Sequence, residues 1–203
     1  MISIRTIYRL LFFFILVYCF KPATSAAFFP QQKDSTHKRT KFNPTAHDTA
    51  NYTDSQRALT MKVIQRMNRD KEKYSSEQIM EGERMYQFAN KMKMAPVSKD
   101  TLLKLVEKYP DMNRTGCAIL YLATMSYGVE KEKWLQDAID KHNDCYFGDG
   151  AQVGALARFQ LAYIYKDQGD MQKARALFRQ IRSEYPEAVD HRGRLLISQV
   201  PAE

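Results

Sequence analysis

Residues 155–188 read ALARFQLAYIYKDQGDMQKARALFRQIRSEYPEA. Leu161, Ala162 and Tyr165 share one side of a predicted helix, and Ala174, Phe178 and Ile181 recur at three- and four-residue steps along a second. Gly169-Asp170 separates them. Glycine ends the first helix at little cost because it tolerates a left-handed backbone, and an aspartate carboxylate can take the open amides of the second. Tyr185-Pro186 closes the unit, because proline cannot continue a helix and disfavours helical geometry in the residue before it. Two small residues, Ala162 and Ala174, allow close approach, while Tyr165 and Phe178 fill the space beside them.

Leu161, Ala162, Tyr165, Gly169-Asp170, Ala174, Phe178 and Pro186 stand where a tetratricopeptide repeat has such residues, and the stretch resembles that 34-residue helix-turn-helix unit. Arg158 departs from it, since the family often carries a bulky aromatic or apolar residue there. One such unit cannot bury its own apolar face, so about three are expected. Leu122-Ala123 precede Leu161-Ala162 by 39 residues, and Tyr146-Phe147 precede Tyr185-Pro186 by the same distance. A second unit is therefore predicted at about 116–149. In it Ala118, Leu122, Ala123 and Met125 oppose Trp134, Leu135, Ala138 and Ile139, and Leu135 replaces the small residue. Tyr109-Pro110 ends a further unit at about 79–112, in which Met85, Tyr86, Phe88 and Ala89 face Leu102, Leu103, Leu105 and Val106. The third unit is 155–188. The fold class expected is all-α: a short right-handed solenoid of tetratricopeptide-like antiparallel helix pairs with terminal capping helices. Ser55–Lys73, with Leu59, Val63, Ile64 and Met67 on one face and Asp54 available as N-cap, serves as the first cap. Residues 189–203, carrying Leu195, Leu196, Ile197 and Val200, serve as the last, making 54–203 one helical domain.

The N-terminus follows a different logic. Arg5 and Arg9 precede the apolar run Leu10–Phe20, and Ala23-Thr24-Ser25-Ala26 offers small residues for cleavage, so residues 1–26 are expected to be a secretory signal peptide. The run falls short of the roughly 20 apolar residues that span a bilayer, so no transmembrane segment is expected after cleavage. Tyr18 before Cys19 argues against a lipoprotein signal. Cleavage would remove Arg5, Arg9 and Lys21 and no acid, lowering the formal charge from +8 to +5. Residues 27–53, with Lys33, His37, Lys38, Arg39 and Lys41 among Pro, Thr and Ser, read as a flexible basic linker. Basic residues are not interleaved with aromatics as a base-stacking surface requires, so no nucleic-acid partner is expected.

After cleavage Cys117 and Cys145 remain. They fall near the start and the end of an antiparallel pair and so return to one edge, where a disulfide closing about 29 residues would stabilise by roughly 3–4 kcal/mol. Two buried thiols, or a metal site with His142, are the alternatives; two Cys and one His do not complete a structural zinc set. His191, beside Asp190, Arg192 and Arg194, reads as part of a charged cap, and Gly148, Gly150 and Gly154 as an inter-repeat turn without the ending of a phosphate loop. Asn51-Tyr52-Thr53 and Asn113-Arg114-Thr115 match glycosylation sequons, and Asn113 or Thr115 is a candidate helix cap. No catalytic motif, cofactor site or metal set emerges, and no enzyme activity is expected.

First helices of tetratricopeptide repeats line a concave groove. The resemblance puts that role on Leu120, Thr124 and Tyr127 in the second unit and Leu156, Phe159, Tyr163, Lys166 and Asp167 in the third. It implies a protein or peptide partner held by apolar and aromatic anchors, with Lys166 and Asp167 setting orientation. The runs NRTGCA, CYFGDGAQVGA and YPEAVDHRGRLL are similar to exported bacterial tetratricopeptide proteins. That similarity implies a periplasmic or envelope location, with peripheral envelope association. The competing function is an accessory of an envelope redox or hydrolytic system that uses or protects Cys117 and Cys145.

Overall fold

The computed structural model describes residues 54–201. The signal peptide expected at 1–26 and the linker expected at 27–53 lie outside the described residues, as does Cys19.

Seven α-helices occur among them: α1 (Asp54–Lys73), α2 (Ser76–Met92), α3 (Pro96–Lys108), α4 (Asn113–Thr124), α5 (Gly128–Lys141), α6 (Val153–Asp167) and α7 (Met171–Glu184). A 3-10 turn at Leu196–Gln199 follows. Helices α2/α3, α4/α5 and α6/α7 form antiparallel pairs, and the first helices of successive pairs touch, α2 against α4 and α4 against α6. This is an all-α, tetratricopeptide-like solenoid.

Local chemistry sets the boundaries. Ser75 and Gln78 form a reciprocal capping box at α2, with Gln78 N–H donating to Ser75 Oγ at 3.3 Å and Ser75 N–H to Gln78 Oε1 at 2.8 Å. Pro96 opens α3 at its first helical position. Gly169, at φ +83°, ends the turn after α6, and the Asp170 carboxylate accepts the Lys173 N–H at 3.1 Å to start α7. Leu102, Leu105, Leu122, Leu135, Leu161 and Ile181 are almost wholly buried and form the spine of the core. Truncating any of them to Ala costs about 2–5 kcal/mol.

The three pairs share an ending. Tyr109, His142 and Tyr185 cap α3, α5 and α7, and their carbonyls accept the N–H of Met112, Cys145 and Ala188 at 3.2, 3.1 and 3.1 Å. These caps lie 33 and 43 residues apart. The structural counterpart of Tyr185-Pro186 is therefore His142-Asn143, not Tyr146-Phe147 as the 39-residue spacing predicts. In this register Leu135 stands opposite Phe178, and Lys131, not Leu135, takes the place of Ala174. The within-pair turns are equally long, and the second pair differs from the third in its first helix: α4 has 12 residues where α6 has 15.

Cys145–Val153 and Ala188–Leu196 then form equivalent narrow loops. Each carries one antiparallel bridge, Tyr146 with Gln152 and Val189 with Leu195. In each the same amides close the loop: Val153 N–H to Cys145 O at 2.9 Å and Leu196 N–H to Ala188 O at 2.8 Å. The C-terminal cap is accordingly a hairpin followed by a 3-10 turn, not the expected capping helix. Leu196 is 1 % exposed, whereas Leu195 points outward at 45 %.

The expected N-terminal cap is also corrected. Instead of stacking on the first pair, α1 runs as a strap along the loops that join one pair to the next. Val63, Arg66 and Asp70 are its buried residues, while Ile64 and Met67 face outward. Two of these three are charged because what the strap covers is loop backbone, with carbonyls and amides that need partners. In the first pair, Tyr86, Ala89, Leu102 and Leu105 are buried as expected, but Phe88 and Leu103 are 45 % and 38 % exposed. No helix among the described residues is long and apolar enough to cross a membrane.

Candidate functional site

The strap is fixed by a set of equivalent acids. Asp111, Asp144 and Glu187 each occupy the second position after the cap of α3, α5 or α7, and each meets a cation of α1. Lys73 pairs with Asp111, Arg69 Nη2 reaches Asp144 Oδ2 at 2.7 Å, and Lys62 Nζ reaches Glu187 Oε2 at 3.0 Å. One helix thus contacts the closing turns of all three pairs. Its centre is buried: Arg66 Nη1 donates to Asp70 at 2.6 Å, and Nη2 donates to the Asp111 carbonyl at 2.9 Å and to Cys145 Sγ at 3.4 Å.

Asp70 also caps α4 from a distance. Its carboxylate accepts the Asn113 N–H at 2.9 and 3.1 Å, so neither Asn113 nor Thr115 caps α4 as expected. The Asn113 side chain instead pairs with the backbone of Tyr146, donating and accepting at 2.8 Å, and Thr115 Oγ1 donates to the Tyr109 carbonyl at 2.5 Å. Gly116 permits this close approach: a Cβ there would lie 2.6 Å from Cys145 Cβ and 2.8 Å from its sulfur.

Cys117 and Cys145 are both free thiols in this structure and both buried. The expected bridge is not formed: Cys117 Sγ donates to the Tyr146 carbonyl at 3.4 Å, while Cys145 accepts from Arg66. Burial pushes the Cys117 thiol up to about 11 and Cys145 to about 12; Cys117 is near enough to Cys145 to add to that rise. Burial also lowers His142. No group of three or more His, Cys, Asp or Glu among the described residues could hold a metal ion.

The residues expected to line a groove divide. Leu120 and Leu156 are 4 % and 7 % exposed and belong to the core, not to a contact surface. Phe159, Tyr163 and Lys166 come together on α6. Their rings lie 5.0 Å apart, and Lys166 Nζ sits 5.4 Å above the Tyr163 ring. Tyr163 is half-committed elsewhere, packing edge-on to Phe178 at 5.3 Å and donating to the Gln199 carbonyl at 2.8 Å. Asp167 and Thr124 are exposed, the latter donating back to Leu120 O at 3.0 Å. Tyr127, 82 % exposed, lies beyond the end of α4, on the turn into α5. Arg158, the departure in the motif, is a buried prop: it lies 4.8 Å over the Tyr185 ring and donates to Gln180 Oε1 at 3.0 Å and Gly154 O at 3.1 Å.

A last contact joins the two inter-repeat loops. His191 Nδ1 lies 2.9 Å from Asp149 Oδ2, with the imidazole edge-on to Phe147 at 4.6 Å. The hydrogen bond to Asp149 raises the His191 pKa against the opposing effect of burial. Burial pushes Asp149 up, but the His191 bond and the Ala151 N–H outweigh it and hold the carboxyl low. Sequence reasoning missed the strap contacts and this loop pairing. The available signal was the recurrence of Tyr-Pro-Asp, His-Asn-Asp and Tyr-Pro-Glu after the second helix of each pair.

Comparison with known families agrees with this geometry. A tetratricopeptide-repeat family model matches residues 156–188, which span α6, α7 and the turn after them. No curated protein and no solved structure matches the chain. The match and the packed helix pairs that precede it identify a tetratricopeptide repeat at 156–188, set at the end of a tetratricopeptide-like solenoid.

Proposed function

We propose that the protein is a non-enzymatic interaction module that binds a protein or peptide across the faces of α4 and α6. A tetratricopeptide repeat suggests protein–protein interaction as such. The observation that carries the finer reading is the Phe159–Tyr163–Lys166 cluster, which stays partly exposed from the middle of α6 to its C-terminal end. The described strap contacts instead lie at the inter-repeat loops. Aromatic rings with an adjacent cation and the Asp167 carboxylate suit an extended segment with apolar side chains and paired charge. Pull-down of a tagged chain, followed by the same experiment with Tyr163→Ala and Lys166→Ala, tests this. Loss of the bound protein supports the reading; equal recovery contradicts it.

The N-terminal sequence supports export to the bacterial envelope. Mass measurement of the chain after secretion, expected to show loss of residues 1–26, checks that. In an oxidising compartment the expected Cys117–Cys145 bridge belongs to the same reading, with Cys145 giving up its contact to Arg66. Alkylation with and without reductant reads it directly. The redox-accessory alternative needs a reactive thiolate, which burial and raised pKa values disfavour at both sulfurs.

A further inference from the structure

We propose that the turns from α2 to α3 and from α4 to α5 form a docking edge for an anionic lipid bilayer. The first turn exposes Met92, Met94 and Val97 at 42 %, 52 % and 41 %. The second is Tyr127-Gly128-Val129, with its side chains 82 % and 83 % exposed about a glycine at φ +54°. A Cβ on Gly128 would meet nothing within 4 Å, so this tip stands clear of the body. The two tips are neighbours, because Lys99 Nζ on α3 binds Glu130 Oε1 on α5 at 2.7 Å.

What identifies the occupant is charge around apolar tips. Lys91, Lys93, Lys131 and Lys133 flank the two turns and form no salt bridge among the described residues, while the interleaved acids are engaged: Glu130 pairs with Lys99 and Glu132 accepts from Gln168 at 2.6 Å. Tyr127 does not cap α5 with its side chain, leaving first-turn amides at the edge for phosphate oxygens, whereas at α3 Pro96 has no N–H and the Ser98 N–H donates to Ala95 O at 2.9 Å. Apolar and aromatic tips ringed by lysines suit the interfacial layer: tips enter the acyl boundary while ammonium groups stay with the headgroups. The third turn differs. There Asp170 is used to cap α7 and pairs with Lys173 at 2.9 Å, so the edge is confined to the first two pairs. This surface is separate from the Phe159–Tyr163–Lys166 cluster, and its test does not depend on a protein partner.

Residues 10–20 could hold the full chain on a membrane by themselves, so the readout must be local. A full chain carrying Tyr127→Trp and Trp134→Phe is mixed with phosphatidylcholine vesicles, with and without phosphatidylglycerol, whose acyl chains are brominated. The emission is expected to shift to the blue and be quenched with phosphatidylglycerol. Changing Lys91, Lys93, Lys131 and Lys133 to Glu should weaken vesicle affinity at that site by about a thousandfold. Should Trp134→Phe disturb the fold, a nitroxide on Val129→Cys in a Cys19→Ser chain gives the same depth measurement. Unquenched, water-like emission from residue 127 while the chain sediments with vesicles overturns the proposal. So does equal quenching of Met61→Trp, which lies on the strap, or protection of residue 127 by a soluble protein alone.

Discussion

The Asp70 carboxylate accepts the backbone N–H of Asn113 at 2.9 Å, so the last turn of the strap supplies the missing cap of α4. The same carboxylate neutralises Arg66, whose side chain is 8 % exposed. Removing Asp70 leaves a buried guanidinium and an open helix end together. Asp70→Ala is expected to destabilise the fold by about 3 kcal/mol, and Asp70→Asn, which can still cap, by about half as much. Lys62→Gln, at an exposed pair, should leave the denaturation midpoint unchanged within error. Urea melts of the three variants check the order; equal midpoints for Asp70→Ala and Lys62→Gln would show that the strap is ornamental.

Salt should act on α1 selectively. The pairs Lys62–Glu187, Arg69–Asp144 and Lys73–Asp111 are largely exposed, and the screening length falls from about 10 Å at 0.1 M to about 3 Å at 1 M. Hydrogen exchange of amides 54–65 is expected to quicken in high salt, while amides of α6 and α7, held by Leu161, Phe178 and Ile181, keep their protection. Uniform change across the chain would contradict separate electrostatic fastening.

Two glycines separate close packing from backbone conformation. At Gly116 an added methyl would collide with Cys145, and Gly116→Ala is expected to cost about 1–3 kcal/mol. At Gly128 the space is open but φ is +54°, so Gly128→Ala should cost about 1 kcal/mol through strain alone. Calorimetry of both, with Cys145→Ala added to Gly116→Ala, checks the cause: partial rescue is expected at Gly116.

His191 gives the C-terminal loop a pH dependence of defined sign. Its folded-state pKa is raised above the usual 6.5 by Asp149, so the contact contributes fully below 6.5 and is lost as pH rises through the folded value. Protection factors at amides 189–195, with the intrinsic base-catalysed rate divided out, should therefore fall from slightly acid to alkaline pH, and Asp149→Asn should flatten that profile. An unchanged profile in that variant would mean that the His191–Asp149 contact is not what holds the loop.

The helix pairs were legible because Ala162, Ala174, Phe178 and Gly169-Asp170 encode local events: helix crossing, filling and a turn. The register of the second pair was not, because its first helix, α4, is three residues shorter than α6 and Tyr146-Phe147 imitate Tyr185-Pro186 in type without sharing their position. The strap was illegible for a different reason. Its buried face is Val63, Arg66 and Asp70, and buried charge carries no apolar period; the outward Ile64 and Met67 completed a false stripe. Among the candidate contacts, Leu120 and Leu156 were indistinguishable from Phe159 and Tyr163 by helical position. Only packing separates a groove-lining residue from one pressed against the neighbouring helix.

The central claim is that the α6 face beside α4 is where a protein partner binds. Its most direct test is a photo-crosslinking residue placed at Lys166 in the full chain, with Gln65 on the outer side of the strap as the comparison site. A discrete adduct with one protein from 166, absent from 65 and lost on Asp167→Lys, is the result predicted. An adduct from 65 alone, or the same proteins captured from both sites and indifferent to Asp167→Lys, would contradict it.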